Sequence, residues 1–235
     1  MQQSVNDANT LVAGYMALRR AVGMLGLTLP FVLGFGAWLI FQTGLQETVS
    51  HYYYTGMRNI FVGVLCAIGV FLMNYTGYKQ VGDRPGDPRG VFHLSGAFAI
   101  GVALFPTSPN DPTTLEQIVG IMHLTFAAAF FGTLAYVSLV LFTRTDPAQT
   151  LTARRRKRIQ IYRICGWTIL TAIALIVLLG ILPDGLVQGL LGIDNPVFYL
   201  ESVVVMAFGF SWLTKGRMIL LDLESLLLDM HEDIG

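Results

Sequence analysis

The chain has 235 residues, of which 54% are hydrophobic and only 13% charged, and its mean hydropathy is +0.60. A water-soluble domain needs more polar surface than this composition supplies, so the sequence indicates a polytopic membrane protein. The formal net charge is zero, and no nucleic-acid partner is expected. The two cysteines, Cys66 and Cys165, lie within apolar runs, which argues against a disulfide framework.

Amphipathic segments are predicted at both ends of the chain. Near the N-terminus, apolar residues recur at helical spacing between Val5 and Met16, which predicts a short helix on the membrane surface. No cleavable signal peptide is expected, because the apolar run from about Ala21 is long enough to span and lacks a cleavage site after it. The tail LLDLESLLLDMHEDIG is expected to extend the last span as a second amphipathic helix.

Six apolar stretches are long enough to be transmembrane helices, which need roughly 17 to 25 residues. They lie at about 21–41, 59–78, 91–107, 115–142, 162–182 and 196–218. The third is short and rich in glycine and alanine, which predicts close helix packing inside the bundle. The sequence therefore predicts an all-α protein, a single transmembrane domain over residues 1–235 built as a bundle of six helices.

The basic residues predict the orientation of this bundle. Fourteen of the 15 lysines and arginines fall on one side of a six-span arrangement, and that side is cytoplasmic by the positive-inside rule. Both termini are then cytoplasmic, and a bacterial inner membrane is the expected location. Trp38, Trp167 and Trp212 fall near predicted helix ends, as an interfacial aromatic belt requires.

The exception to the charge rule is Arg58, which follows a histidine and three tyrosines in the stretch SHYYYTGMRNIFVG. Ionisable residues inside spans are rare because a charge in hydrocarbon costs at least a few kcal/mol. Glu201 and His123 lie in the same predicted outer half as Arg58, from about 1.5 Å of rise per residue. We therefore predict an ion pair between Arg58 and Glu201 beneath the tyrosine-rich loop.

These residues suggest an outward-facing polar pocket that recognises a lipid headgroup or a small anionic ligand. Its candidate ligand-binding residues are Ser50, His51, Tyr53, Arg58, His123 and Glu201. An arginine fork matches two oxygens of a phosphate or carboxylate. The ion pair could equally serve only to fix helix packing, and an enzymatic activity is the less favoured interpretation.

Two alternative functions stay open at this stage. His51, His123 and Glu201 supply enough ligands for a metal-dependent membrane hydrolase, although the chain has no HxxxH or HExxH pair. Glu201 and His123 could instead exchange protons in a proton-coupled transporter. No haem, flavin or retinal is expected, and a retinal Schiff base would need a lysine in mid-span.

The strings SHYYYTGMRNIFVG, GVALFPTSP and ESVVVMAFGFSWLTKG resemble segments of a group of bacterial six-span integral membrane proteins with no known activity. The resemblance covers most of the chain and is carried by a YYYT–MRN–FVG segment and by a last span that contains a glutamate and ends in SW and KG. Its matched positions are Tyr53, Arg58, Asn59 and Glu201. It implies a membrane location and those four positions as a shared feature, without implying a reaction.

Overall fold

A computed structural model describes residues 2–75, 88–145, 152–183 and 192–216, with the backbone but not the side chains of residues 2–13 and 15. All regular structure in these ranges is helical. The α-helices are α1 (Gln2–Phe41), α2 (Arg58–Met73), α3 (Pro88–Leu104), α4 (Thr114–Tyr136), α5 (Ala153–Ile181) and α6 (Pro196–Lys215). A 3-10 helix (Ser50–Tyr54) precedes α2, and a π-helical turn (Val137–Leu141) extends α4. The predicted all-α class is confirmed.

Within the described ranges, four helical segments are long and apolar enough to cross a membrane, which indicates a multi-pass membrane protein. They are Met16–Phe41, Thr114–Leu141, Ala153–Ile181 and Pro196–Lys215. The predicted spans at 59–78 and 91–107 correspond to α2 and α3, which have 16 and 17 residues in the described ranges. At about 1.5 Å per residue these two helices are shorter than the roughly 30 Å hydrocarbon layer.

Two helix starts differ from the sequence-based prediction. The N-terminal surface helix is not a separate element, because α1 runs without interruption from Gln2 to Phe41. Helix α5 begins at Ala153, well before residue 162, since Thr152 caps it by accepting a hydrogen bond from Arg155 N at 3.2 Å. The basic stretch therefore forms the first turns of a long helix. The predicted C-terminal amphipathic helix lies outside the described residues.

Glycines lie at two close helix crossings. Gly23 of α1 faces Gly209 of α6, where a methyl group added to Gly209 would lie 2.6 Å from the Gly23 carbonyl oxygen. Gly69 of α2 faces Gly96 of α3, and a methyl group on Gly69 would lie 2.9 Å from the Gly96 carbonyl oxygen. Small residues let helix backbones approach closely in this way in membranes. The close packing predicted for the third apolar stretch is present on the face of α3 that meets α2, while the opposite face, with Leu94, is exposed.

An aromatic cluster fills one end of the bundle, around Trp212, which is only 2% exposed. Its ring makes edge-on contacts with Tyr75, Phe92 and Phe142 at centroid distances of 4.9, 6.2 and 5.5 Å. The belt prediction is therefore wrong for Trp212, whose ring points into the bundle, while Trp38 and Trp167 are exposed. The indole therefore packs among aromatic rings from α3 and from the segments that follow α2 and the π-helical turn.

The two ends of the bundle are distinct. At the Arg20 end, Arg20 Nε donates to the Gly216 carbonyl at 3.1 Å, which joins the N-terminal part of α1 to the end of α6. At the opposite end, which we call the Ser50 end, the 3-10 helix lies beside α2, and its side chains contact α4, α6 and the loop after α3. Helix α4 starts there with a capping box between Thr113 and Glu116. The Ser50 end holds all six predicted ligand-binding residues.

Candidate functional site

The 3-10 helix sends its three tyrosines in different directions, because this helix has three residues per turn. Tyr52 is fully buried and packs against Phe198, with ring centroids 6.0 Å apart. Tyr53 turns toward Arg58, and Tyr54 donates its hydroxyl hydrogen to the Thr107 carbonyl at 2.6 Å. The tyrosine run therefore ties the loop to three neighbouring parts of the bundle.

Two of these phenols have altered acidity. Burial raises the pKa of Tyr52 above its ordinary value. Partial burial, aided by the negative charge of Glu116, raises the pKa of Tyr54. Because both pKa values move further above neutrality, both hydroxyl groups keep their protons at physiological pH, and Tyr54 stays a hydrogen-bond donor to Thr107.

Glu201 reaches from α6 to the loop before the 3-10 helix. Its Oε2 atom accepts hydrogen bonds from the backbone N–H groups of Val49 at 2.7 Å and Ser50 at 3.4 Å. The carboxylate thus binds two main-chain donors that precede the first hydrogen bond of the 3-10 helix. Asn195 supports the same loop, with Nδ2 donating to the Leu45 carbonyl at 3.2 Å. Glu201 therefore positions Ser50 relative to α6.

The predicted ion pair between Arg58 and Glu201 is wrong. Arg58 is exposed, its guanidinium lies 4.1 Å from the centre of the Tyr53 ring, and it donates a hydrogen bond to the Tyr53 hydroxyl. Backbone N–H groups satisfy the carboxylate without a second buried charge, which avoids the cost of desolvating a guanidinium. Arg58 is thereby left at the surface.

His123 is 2% exposed, and both of its ring nitrogens have partners. Nδ1 lies 2.6 Å from the Phe105 carbonyl oxygen and Nε2 lies 3.0 Å from Ser50 Oγ. A carbonyl oxygen can only accept, so Nδ1 carries a hydrogen, and in the neutral ring Nε2 accepts from the serine hydroxyl. His123 and Glu201 are linked through Ser50, which bonds to one by its side chain and to the other by its backbone.

His51 follows Ser50 directly, but its ring has a different hydrogen-bond partner. Its Nδ1 atom pairs with Thr48 Oγ1 at 2.8 Å, and its ring leans against Tyr54 at a centroid distance of 6.5 Å. Across the ranges that the structure describes, no three His, Cys, Asp or Glu side chains are grouped closely enough to hold a metal ion. His51, His123 and Glu201 are thus not arranged as a set of metal ligands.

The six predicted residues do not line one pocket, and four of them are divided between two separate spaces. An open groove of about 350 Å³ lies beside α2, lined by Tyr53, Arg58, Asn59, Val62, Gly63, Ala103 and Leu104. A narrow cavity of about 30 Å³ lies inside the bundle, with Ser50 and Glu201 as its polar lining and apolar side chains elsewhere. We call these spaces the Arg58 groove and the central cavity. His123 reaches the central cavity only through Ser50, and His51 lines neither space.

Sequence patterns gave no signal for several of the groups that build these spaces. The donors to Glu201 and the acceptor for His123 are main-chain atoms of Val49, Ser50 and Phe105, which no residue type identifies. The groove wall contributed by Ala103 and Leu104 comes from the end of α3, which is distant in sequence from Arg58.

Compared with known proteins, the chain matches no family model, no curated protein sequence and no solved structure at a significant level. The resemblance to bacterial integral membrane proteins therefore stays a prediction. Any function has to be inferred from the geometry and chemistry of the site itself.

Proposed function

We propose that this protein is a six-span membrane protein that binds the anionic headgroup of a membrane lipid in the Arg58 groove. The observation that carries the proposal is the exposed guanidinium of Arg58, held on Tyr53 at the edge of a groove whose remaining walls are largely apolar. In this proposal α2 and α3 also cross the membrane, and both termini are cytoplasmic.

The packing of the two shorter helices supports six spans. Helices α2 and α3 meet through Gly69 and Gly96, and their inward-facing residues, such as Ile68, Leu72 and Phe92, are buried in the shared core. A short apolar helix is accommodated by local thinning of the bilayer or by flanking residues that extend to the interface. The strong basic bias of the sequence on the Arg20 side supports the cytoplasmic orientation of that end.

The geometry of Arg58 favours a phosphate as its ligand. Stacking on Tyr53 occupies one face of the planar guanidinium, and the hydrogen bond to the phenol uses only one of its five N–H donors. The donors that remain form a fork matched to two oxygens of a phosphate or carboxylate. Within the described part of the chain Arg58 contacts a neutral phenol rather than a carboxylate, so a bound anion would supply the compensating charge.

The groove is polar at the start of α2 and apolar further along the helix, which matches the polar headgroup and apolar chains of a lipid. Arg58 and Asn59 lie at the first turn of the helix, and Val62 and Gly63 lie about 6 Å further along at 1.5 Å per residue. Ala103 and Leu104 of α3 form the facing wall. A phosphate near Arg58 would therefore place the start of an acyl chain on apolar side chains.

We expect Arg58→Gln to weaken the binding of a short-chain anionic phospholipid by about tenfold, the loss of one charge-assisted bidentate contact. Binding of short-chain phosphatidylglycerol and phosphatidylcholine to protein in neutral detergent would be measured by intrinsic fluorescence. The wild type should prefer the anionic lipid.

Arg163→Gln is the matched control, because it removes the same charge from an exposed position on α5. It should leave the affinity within about twofold of wild type. Equal affinities for the two lipids in the wild type, or equal losses in both variants, would show that the groove has no specific role.

A further inference from the structure

Ser50 differs from the other buried hydroxyl groups in its hydrogen-bond partner. Ser95, Ser202 and Thr214 each donate to a carbonyl of their own helix, four residues earlier. Ser138 pairs with another hydroxyl, that of Ser211, at 3.0 Å. Among the buried serines and threonines of the described ranges, only Ser50 has a ring nitrogen as its hydrogen-bond partner, with Oγ 3.0 Å from His123 Nε2.

This pair has the geometry of a serine nucleophile with its general base. Such pairs have the hydroxyl oxygen within hydrogen-bond reach of the base, and a third group orients the base. Here the third group is the Phe105 carbonyl, which lies 2.6 Å from His123 Nδ1 and fixes the hydrogen on that nitrogen. The lone pair of Nε2 is then directed at the Ser50 hydroxyl, the arrangement that proton removal requires.

Ser50 is also held in place from its other side. Its backbone N–H and that of Val49 donate to Glu201 Oε2. Across the same turn, His51 N donates to Thr48 Oγ1 at 3.0 Å. Glu201 acts here as a positioning residue, since it holds the backbone of Ser50 rather than its hydroxyl. Helix α4 therefore holds the side chain of Ser50 through His123, and α6 holds its backbone through Glu201.

The central cavity indicates the class of substrate. Apart from Ser50 and Glu201 its walls are apolar, with Leu65, Ile68 and Phe130 among them. An apolar wall suits an acyl group and offers few partners to a sugar or peptide. At about 30 Å³ the cavity holds roughly two water molecules, by the rule of about 10–15 Å³ each, so it favours short acyl groups over long ones.

We propose that Ser50 is the nucleophile of an acyl-ester hydrolase site, with His123 as its general base. Ser50 Oγ bonds to the ester carbonyl carbon as His123 Nε2 takes the hydroxyl proton. The ester C–O bond then breaks, and the alcohol leaves with that proton. Water attacks the acyl-serine with His123 again as base, which releases the carboxylic acid and restores Ser50. The site is separate from the Arg58 groove and does not depend on lipid binding there.

Labelling with a fluorophosphonate that carries a short alkyl group tests this proposal, because the serine oxygen displaces fluoride to give a stable adduct. Folded wild-type protein in detergent should form one adduct, mapped by peptide mass spectrometry to Ser50. Ser50→Ala should abolish it. His123→Gln, which keeps a polar side chain but no base, should slow it by about 100-fold or more.

Ser138→Ala is the matched control, a buried serine paired with a hydroxyl, and it should be labelled at the wild-type rate. A folded wild type without an adduct at Ser50 would overturn the proposal, and this result needs no variant to be stable. Labelling of Ser50 at an unchanged rate in folded His123→Gln would also overturn it. Slower labelling by a long-chain probe would support the size limit of the cavity.

Discussion

Gly209→Ala is expected to destabilise the protein by about 2–3 kcal/mol, the cost of overpacking a tight contact. The added methyl group would lie 2.5 Å from the Leu27 backbone nitrogen and 2.6 Å from the Gly23 carbonyl oxygen. Both neighbours are main-chain atoms of α1, so no side chain can turn away to make room. Helices α1 and α6 would have to separate along their whole crossing, and unfolding in detergent with increasing denaturant would measure the loss.

Gly132→Ala is the control for this substitution. Gly132 also lies in the middle of a helix, α4, but a methyl group added there would meet nothing within 4 Å. Helix propensity alone should then stabilise the variant by up to about 1 kcal/mol. If the two alanine variants unfold at the same denaturant concentration, the close approach of α1 and α6 at Gly209 is contradicted.

Two substitutions of Glu201 distinguish its role as a hydrogen-bond acceptor from the effect of its charge. Glu201→Leu is expected to destabilise the protein by about 2–4 kcal/mol, because the N–H groups of Val49 and Ser50 both lose their acceptor. Glu201→Gln keeps an acceptor oxygen at the same position and should cost about 1 kcal/mol. The same unfolding measurement in detergent would rank the two variants.

A double-mutant cycle between Glu201→Gln and Arg58→Gln tests the correction to the predicted ion pair. Since Arg58 contacts Tyr53 and Glu201 contacts the loop backbone, the coupling energy should be below about 0.5 kcal/mol. A coupling of about 1 kcal/mol or more would show that the two charges stabilise each other. A glutamine variant as unstable as the leucine variant would contradict the role of Glu201 as a hydrogen-bond acceptor for the loop backbone.

The helices could be predicted from sequence because a membrane imposes a simple rule on composition. A spanning helix must be long and apolar, so hydropathy located the six α-helices of the described ranges, and the small residues around Gly96 indicated the close packing of α3 on α2. Helix ends outside the apolar layer follow local capping instead. For that reason the start of α5 at Ala153, set by Thr152, differed from the hydropathy boundary.

The site could be predicted only as a set of residues, not as a set of contacts. Depth along the helices placed Glu201, His123 and the tyrosine loop at one end of the bundle, which the structure confirms. Which of them meet depends on the path of the loop at 42–49, where a backbone N–H can replace a cation as the partner of a carboxylate. Residue types do not show main-chain donors, so the sequence favoured the wrong partner, Arg58, for Glu201.

The most direct test of the Arg58 groove is the lipid that stays bound to the purified protein. The protein would be purified in neutral detergent from a host with anionic phospholipids, and the retained lipids would be extracted and quantified by mass spectrometry. We expect about one anionic phospholipid per chain in the wild type and in Arg163→Gln, and its loss in Arg58→Gln. Retention of the same amount in folded Arg58→Gln would contradict it.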